Sequence, residues 1–424
     1  MELHDLEMRD MIYGLAKAQN VSEMYKAWLL APYSKDIKAI VCLEDYNKKV
    51  YPPDLARLMN SGELDIIPYF QSEQLYFLDV ETTSDMFKSS TGQAVFALDY
   101  SIMLDTNYAS YIHQFVNRKE RSFDYPPFKK LGLLLEHNLN YDYFFYLIEN
   151  TKGFSTDHFN LDEFKAKHSD IYKNMISMEL FKSIDSKIFK TTGELQYGIT
   201  VHEAVETTDE FVKSIFCSEI GREFYNEFRF VQKQMTLFLI GMLKINFRSG
   251  RNAAKKTTEL FAYMHEVVGV YLDREMIIAH KFFDKEKGMD IFRKLQKNME
   301  MENLQAIIEN IAWDLTAPRV MEYFMARIGE GRYFLPFFLS NDEGLKNLFK
   351  LYNVKAVILD NDGHAISITD PVNVEYFEEK NCKVDFEYYF SDSSKRERFM
   401  KLEDNRKNIN NLLRSEIAEL SLFL

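Results

Sequence analysis

The spacing of apolar positions changes abruptly once near the first quarter of the chain. Between residues 94 and 104 (AVFALDYSIML) branched and aromatic side chains crowd together as in a buried strand. Beyond it Ala109, Ile112, Phe115 and Val116 recur at intervals of three and four, the pattern of an amphipathic helix. The period switches at Asp105-Thr106-Asn107. A carboxylate is thereby delivered to the carboxyl end of a strand, where open α/β sheets assemble their sites. The same triplet also reads as an ordinary helix cap.

Upstream, residues 1–93 read as an N-terminal α/β region, with helical patterns near 5–30 and strand candidates at Ala39–Leu43, Asp65–Phe70 and Gln74–Val80. Pro52-Pro53 and Gly62 mark turns, and a polar stretch follows over Glu81–Gln93. Residues 94–159 carry the organising strand, its helix to about Asn117, a charged loop, a second helix over Phe128–His137, and the run NYDYFFYLIEN at 140–150. That run is apolar nearly throughout and fits strand or helix alike; either way Glu149 sits at the edge of a buried element.

Residues 160–312 read as an almost wholly helical insertion. Its greasiest segment, Met235–Leu243, lies between Lys233 and Lys244 and is about half the length that spans a bilayer, so it is predicted to be buried within the protein. Residues 313–390 return to α/β alternation: Trp313-Asp314 is predicted to open a helix reaching Arg327, with Pro318 in its first turn. Tyr333–Leu339 is a predicted strand, and Ser340-Asn341-Asp342 ends it and caps the helix Glu343–Leu351. Val354–Leu359 is predicted as the parallel neighbour of that strand through a right-handed crossover, with Ala365–Thr369 and Lys383–Phe390 extending the sheet. Residues 391–424 form a charged helix whose Leu412, Leu413, Ile417 and Leu420 suit docking on the body or on another subunit.

At 424 residues the chain exceeds one ordinary core, and its few glycines (16) and prolines (9) favour long helices over elaborate loops. The net charge of −13 weighs against a general nucleic-acid binder, yet it leaves room for a nuclease with a local basic patch. Arg248, Arg251, Lys255 and Lys256, in the connection KINFRSGRNAAKK, are the candidate substrate-binding patch; the plain alternative is a solvated helix face. Cys42, Cys217 and Cys382 lack metal-ligand spacing and fit a reducing, cytoplasmic setting. The start, MELHDLEMRDM, lacks the apolar stretch of a signal peptide, and no membrane partner is expected.

Asp105, Glu149, Asp314 and Asp342 share one trait: each lies at the end of an apolar element or the opening of a helix. Carboxylates gathered together repel one another, and a fold tolerates that mainly when a divalent cation compensates. Mg²⁺ or Mn²⁺, taking oxygen ligands and keeping several waters, would serve. Leu104-Asp105-Thr106-Asn107 resembles the first-strand motif of PIN-type nucleases. Glu149 stands where their second acid lies, Asp314 resembles the acid that opens a later helix, and Leu339-Ser340-Asn341-Asp342 resembles their strand-end hydroxyl and Asp. The resemblance covers roughly 94–150 and 313–360. It implies an α/β fold, a small PIN-like parallel sheet flanked by helices and here split by a large helical insertion. It also implies Mg²⁺- or Mn²⁺-dependent endonucleolytic cleavage, RNA ahead of DNA. By the same resemblance Asp105, Asp314 and Asp342 are metal ligands, Glu149 orients metal-bound water, and Asn107 and Ser340 support them by hydrogen bonding. The insertion departs from the compact PIN pattern, and Glu203 in VHEAVE (201–206) competes with Glu149 as second acid. A self-standing nuclease of this kind would be toxin- or defence-like, its insertion gating the site, with a homo-oligomer or a regulatory protein as partner.

Val357-Ile-Leu-Asp360-Asn-Asp362-Gly363 resembles the opening motif of haloacid-dehalogenase-like phosphotransferases, but too few residues follow for such a domain, and a strand ending in an Asn-Asp-Gly turn is the simpler reading. His202, His265 and His280 form no zinc motif, and there is neither a Walker loop nor a nucleophile elbow. A different class stays open: a non-catalytic helical interaction protein with a degenerate PIN-like portion. Convergence of the four acids on one cation-sized space separates the two.

Overall fold

A computed structural model describes residues 3–29, 37–43, 53–70, 75–90, 94, 96–118, 125–151, 154, 158–327, 331–360, 363–370 and 373–424. Of the positions singled out above, Pro52, Gln74, Gln93 and the Asn361-Asp362 pair lie outside the described residues, as do residues 1–2, 95 and most of the charged loop, at 119–124. The fold is α/β and mostly helical. Its strands are β1 (Ile37–Cys42), β2 (Ile66–Pro68), β3 (Leu75–Leu78), β4 (Leu98–Leu104), β5 (Tyr141–Asp142), β6 (Tyr333–Leu339), β7 (Asn353–Asp360) and β8 (Ala365–Asp370).

Among the described residues they form two sheets of four. One is antiparallel, in the order β3-β1-β7-β8, and the other is mixed, in the order β2-β6-β4-β5. In the mixed sheet β5, β4 and β6 are parallel, whereas β2 runs antiparallel to β6. All seven residues of β6 are buried, as a strand covered on both faces requires. Its Pro336 falls just past the end of the β2 pairing, which stops at Phe337. Both sheets draw strands from the first 93 residues and from the last third of the chain.

Three expectations about elements are corrected. The strand at 353–360 does not neighbour β6; it enters the other sheet between β1 and β8, antiparallel to both. Local periodicity marks a buried strand but carries nothing about its distant partner. The helix expected to open at Trp313-Asp314 begins at Met301 and runs to Arg327, so Asp314 and Pro318 lie in its interior. Buried Leu304, Ile308, Ile311 and Ala312 supply an apolar face that carries the helix through this point. Finally, the chain near Phe386–Phe390 is a short helix, not a sheet extension. The ambiguous run at 140–150 resolves into β5 followed by the helix Phe144–Asn150.

The main core is continuous from Ile40 to Leu420 and takes in both the mixed sheet and the helical region. A second cluster packs the two N-terminal helices, through Met11, Leu15, Met24 and Trp28, on Val41, Ile358 and Ile368 of the antiparallel sheet. The helix Glu219–Arg248 is buried without interruption from Gln234 to Leu243, as its hydrophobic run predicts. Among the described residues no helix is long and apolar enough to cross a membrane.

Candidate active site

The parallel register pairs Leu104 of β4 with Leu339 of β6, so the next residues, Asp105 and Ser340, emerge side by side at the strands' carboxyl ends. Their backbones stay coupled one step further, with the Asp105 N–H donating to the Leu339 carbonyl at 3.3 Å. Asp105 then caps the helix Thr106–Val116, accepting the Tyr108 N–H at 2.8 Å. Capping and site reading are therefore compatible: one oxygen is spent on the helix, while the adjacent Ser340 hydroxyl favours the ionised carboxylate.

Asp105 and Ser340 are both buried. Burial, opposed by hydrogen bonds from Ser340 and Tyr108 and reinforced by the negative charge of Glu149, pushes the Asp105 carboxyl up to about 6. Among the described residues no lysine or arginine pairs with it. Glu149 arrives from the helix Phe144–Asn150, and its carboxylate accepts the Thr106 hydroxyl at 2.8 Å. Asn150 donates in turn to the Thr106 oxygen at 2.8 Å.

Asp342 is exposed and caps the helix Glu343–Phe349, accepting the N–H groups of Gly344 (2.6 Å) and Leu345 (3.2 Å). Its own N–H donates to the Ser340 oxygen at 3.1 Å, so its backbone adjoins Ser340. Asn107 and Asn341, both exposed, face each other across the strand ends at 3.4 Å.

Asp314 is half-buried in mid-helix, not at a helix opening. Its neighbour Trp313 meets Phe145 edge to face, so this turn abuts the helix that carries Glu149. Among the described residues, however, no three His, Cys, Asp or Glu side chains form a group that could hold one metal ion. The strand ends thus bring together Asp105, Glu149 and Ser340, with Asp342 adjoining, and the three-carboxylate set of Asp105, Asp314 and Asp342 is not assembled. Glu203 is no rival to Glu149: it belongs to a capping box with Thr200 on an exposed helix start.

The expected basic patch is largely spent. Arg248 and Arg251 both bind Glu259, and Lys256 is buried with its ammonium donating to Asn246 at 2.8 Å. Lys255 alone of the four is exposed without an acidic partner among the described residues. Asp360 is turned onto its own hairpin, accepting from the His364 N–H at 2.8 Å, as befits the turn between β7 and β8.

Sequence reasoning missed Asp65, which immediately precedes β2. Its carbonyl accepts the Ser340 N–H at 3.1 Å, and its carboxylate receives Tyr108, Lys130 and Lys346. Burial pulls the Asp65 carboxyl upward, but the two ammoniums outweigh it and hold the group below its ordinary value. The available signal was a carboxylate at the edge of a short predicted strand, the same cue that singled out Asp105. No known protein family, no curated protein and no solved structure matches the chain.

Proposed function

We propose that the chain is a divalent-cation-dependent phosphodiester hydrolase of PIN-like type, acting on RNA ahead of DNA, with its centre at the ends of β4 and β6. The observation that carries the reading is the pairing of Asp105 with Ser340 across two parallel strands, beside Glu149. The donors are all oxygen, which suits Mg²⁺ or Mn²⁺, and such a cation needs only one or two carboxylates beside its waters and substrate phosphate oxygens. The fit is supported by Asp105 itself, buried against a second carboxylate with no cationic side chain paired to it among the described residues.

Bound there, a cation would supply a water of lowered pKa and neutralise charge developing on the phosphodiester. Asp105 and Glu149 would hold it. The Tyr108 N–H fixes the Asp105 carboxylate beside Ser340, and Thr106 fixes Glu149, so neither acid has to be ordered when substrate arrives. Asp342, whose backbone N–H donates to the Ser340 oxygen, would be the acid that accepts a proton at the rim. The exposed amides of Asn107 and Asn341 offer donors to phosphate or sugar oxygens.

The test is incubation of end-labelled RNA and DNA with protein and Mn²⁺, repeated with Asp105→Asn and Asp342→Asn. Cleavage by the unsubstituted chain that is lost in Asp105→Asn supports the reading; equal cleavage by all three removes it. A second reading, a non-catalytic helical interaction protein, is favoured by the lack of a three-acid metal group among the described residues. It predicts no cleavage and no response of stability to Mn²⁺.

A further inference from the structure

We propose that Lys130 and Lys346, held by Asp65, form the clamp that receives substrate phosphates at this site, in place of the connection at 248–256. The proposal rests on the nuclease reading above and deepens it. In the mixed sheet β6 lies between β2 and β4, with Leu339 paired to Ile66 on one side and to Leu104 on the other. Asp65 and Asp105 therefore flank Ser340 from opposite sides. Tyr108 spans the same interval, its N–H on the Asp105 carboxylate (2.8 Å) and its hydroxyl on the Asp65 carboxylate (3.2 Å). The two carboxylates are separated by about the length of one tyrosine.

The lysines come from different elements, Lys130 from the helix Pro126–Glu136 and Lys346 from the helix that Asp342 caps. Both ammoniums converge on Asp65, Lys346 at 2.7 Å. Their side chains retain 31% and 19% of their surface, so they are pinned yet reachable. Two cations on one half-buried carboxylate leave one positive charge in excess before Glu343, the additional partner of Lys346, is counted; Glu343 is 74% exposed and contributes a weak, water-screened pair.

The chain as a whole carries −13, so a polyanion needs such a local positive spot. The connection at 248–256, where Glu259 holds Arg248 and Arg251 in the same way, is a poorer candidate because the Lys256 ammonium is held by Asn246 and, among the described residues, no hydrogen bond ties this connection to Asp105, Tyr108 or Ser340. A strand-end acid that orients two lysines beside the reacting centre fixes where the backbone crosses it. Asp65, Lys130 and Lys346 are on this argument positioning residues.

The experiment measures anisotropy of a fluorescein-labelled single-stranded RNA with the cleavage-silent Asp105→Asn protein, at several salt concentrations and fixed Mg²⁺. Lys130→Ala and Lys346→Ala, added singly, are expected to weaken binding about 3- to 10-fold and to lower the slope of log K against log salt by about 0.7 each. Lys255→Ala leaves both unchanged. Asp65→Asn, which removes the competing anion, is expected to tighten binding several-fold, an outcome that a purely structural role for Asp65 does not produce; Lys130→Arg and Lys346→Arg retain binding. If RNA is cleaved by the unsubstituted chain but the lysine variants bind with unchanged slope, the clamp is wrong and the nuclease reading stands. If a lysine variant fails to fold, unchanged or weakened binding by Asp65→Asn overturns the clamp by itself. If RNA is neither bound nor cleaved by any form, both fall.

Discussion

Asp105 and Ser340 stand side by side at the carboxyl ends of β4 and β6, brought together only by the parallel pairing of these strands, and the Ser340 hydroxyl favours the ionised Asp105 carboxylate. The same oxygen accepts the Asp342 N–H at 3.1 Å, so one buried hydroxyl links both helix-capping acids of the site. Removing it leaves Asp105 with the Tyr108 and Asn107 backbone donors only, and the balance of forces on its proton shifts further toward the neutral acid.

That balance has a sign that stability can read. The Asp105 carboxyl is raised from 3.8 to about 6 in the folded chain, chiefly by burial. Between these values the native state binds more protons than the unfolded state, so stability falls as pH rises and the full penalty is present above about pH 6. The shift corresponds to roughly 3 kcal/mol. Asp105→Asn, which cannot ionise, is expected to gain about that much relative to the unsubstituted chain between pH 4 and pH 8 in metal-free buffer. Urea denaturation at intervals across this range measures it. A difference that does not change with pH would mean Asp105 is not the strained group.

Cation binding acts on the same group with opposite sign. At pH 7.5 Mn²⁺ is expected to raise the melting temperature of the unsubstituted chain, by an amount equivalent to about 2.7 kcal/mol at a hundred times Kd. The effect should be absent in Asp105→Asn and reduced in Glu149→Gln. An equal shift in Asp105→Asn would place the cation elsewhere on the molecule.

Glu149 and Glu203 are separated by one further pair of substitutions. Glu149→Gln is expected to lower cleavage by about 10²-fold or more, since the residue stands beside Asp105 and is held by Thr106. Glu203→Gln leaves cleavage intact and changes stability little, since glutamine can close the same capping box with Thr200. Single-turnover rates and chemical denaturation of the two variants decide between the acids.

The legible part of this molecule was local. The change of period at Asp105–Asn107, the strand Tyr333–Leu339 and the cap at Asp342 all follow from side chains within a few residues of each other, and the elements lie where that pattern puts them. Asp314 misled because Pro318 resembles a helix start, while the apolar face from Leu304 onward continues through it. The partners of β7 were not legible, since a run of buried residues such as VKAVIL satisfies a parallel or an antiparallel neighbour equally well. Asp65 was hidden for a related reason: its importance lies in Lys130, Lys346 and Ser340, none of them close in sequence.

A second buried electrostatic group gives a prediction independent of catalysis. Arg274 is fully buried; it donates to Glu322 at 2.6 Å and to the Tyr69 hydroxyl at 3.1 Å, and Tyr69 donates to the same carboxylate. Glu275 and Arg319 complete the network at 2.8 Å. Arg274→Met strips Glu322 of its main counter-charge and is expected to destabilise by roughly 3–5 kcal/mol. Adding Glu322→Leu should recover much of the loss, because the uncompensated buried anion goes with it. Urea midpoints of the single and double variants measure this, and additive losses would show that packing, not charge, dominates.

Gly241 provides a case where helix propensity and packing oppose each other. It lies inside the helix Glu219–Arg248, where alanine would ordinarily add about 1 kcal/mol of stability. A Cβ at this position would fall 2.2 Å from the ring of Tyr263, so the ring must move. It is poorly free to do so: its hydroxyl donates to Glu416 at 2.7 Å, and Lys244 holds the same carboxylate at 2.8 Å. Overpacking against this tethered ring should outweigh the propensity gain, making Gly241→Ala destabilising by about 1–3 kcal/mol. In a Tyr263→Ala background the clash is gone, and the same substitution is expected to be neutral or stabilising. Chemical denaturation of the four proteins in this cycle reads the sign change, and a Gly241→Ala effect of one sign in both backgrounds would show that the ring does not set it.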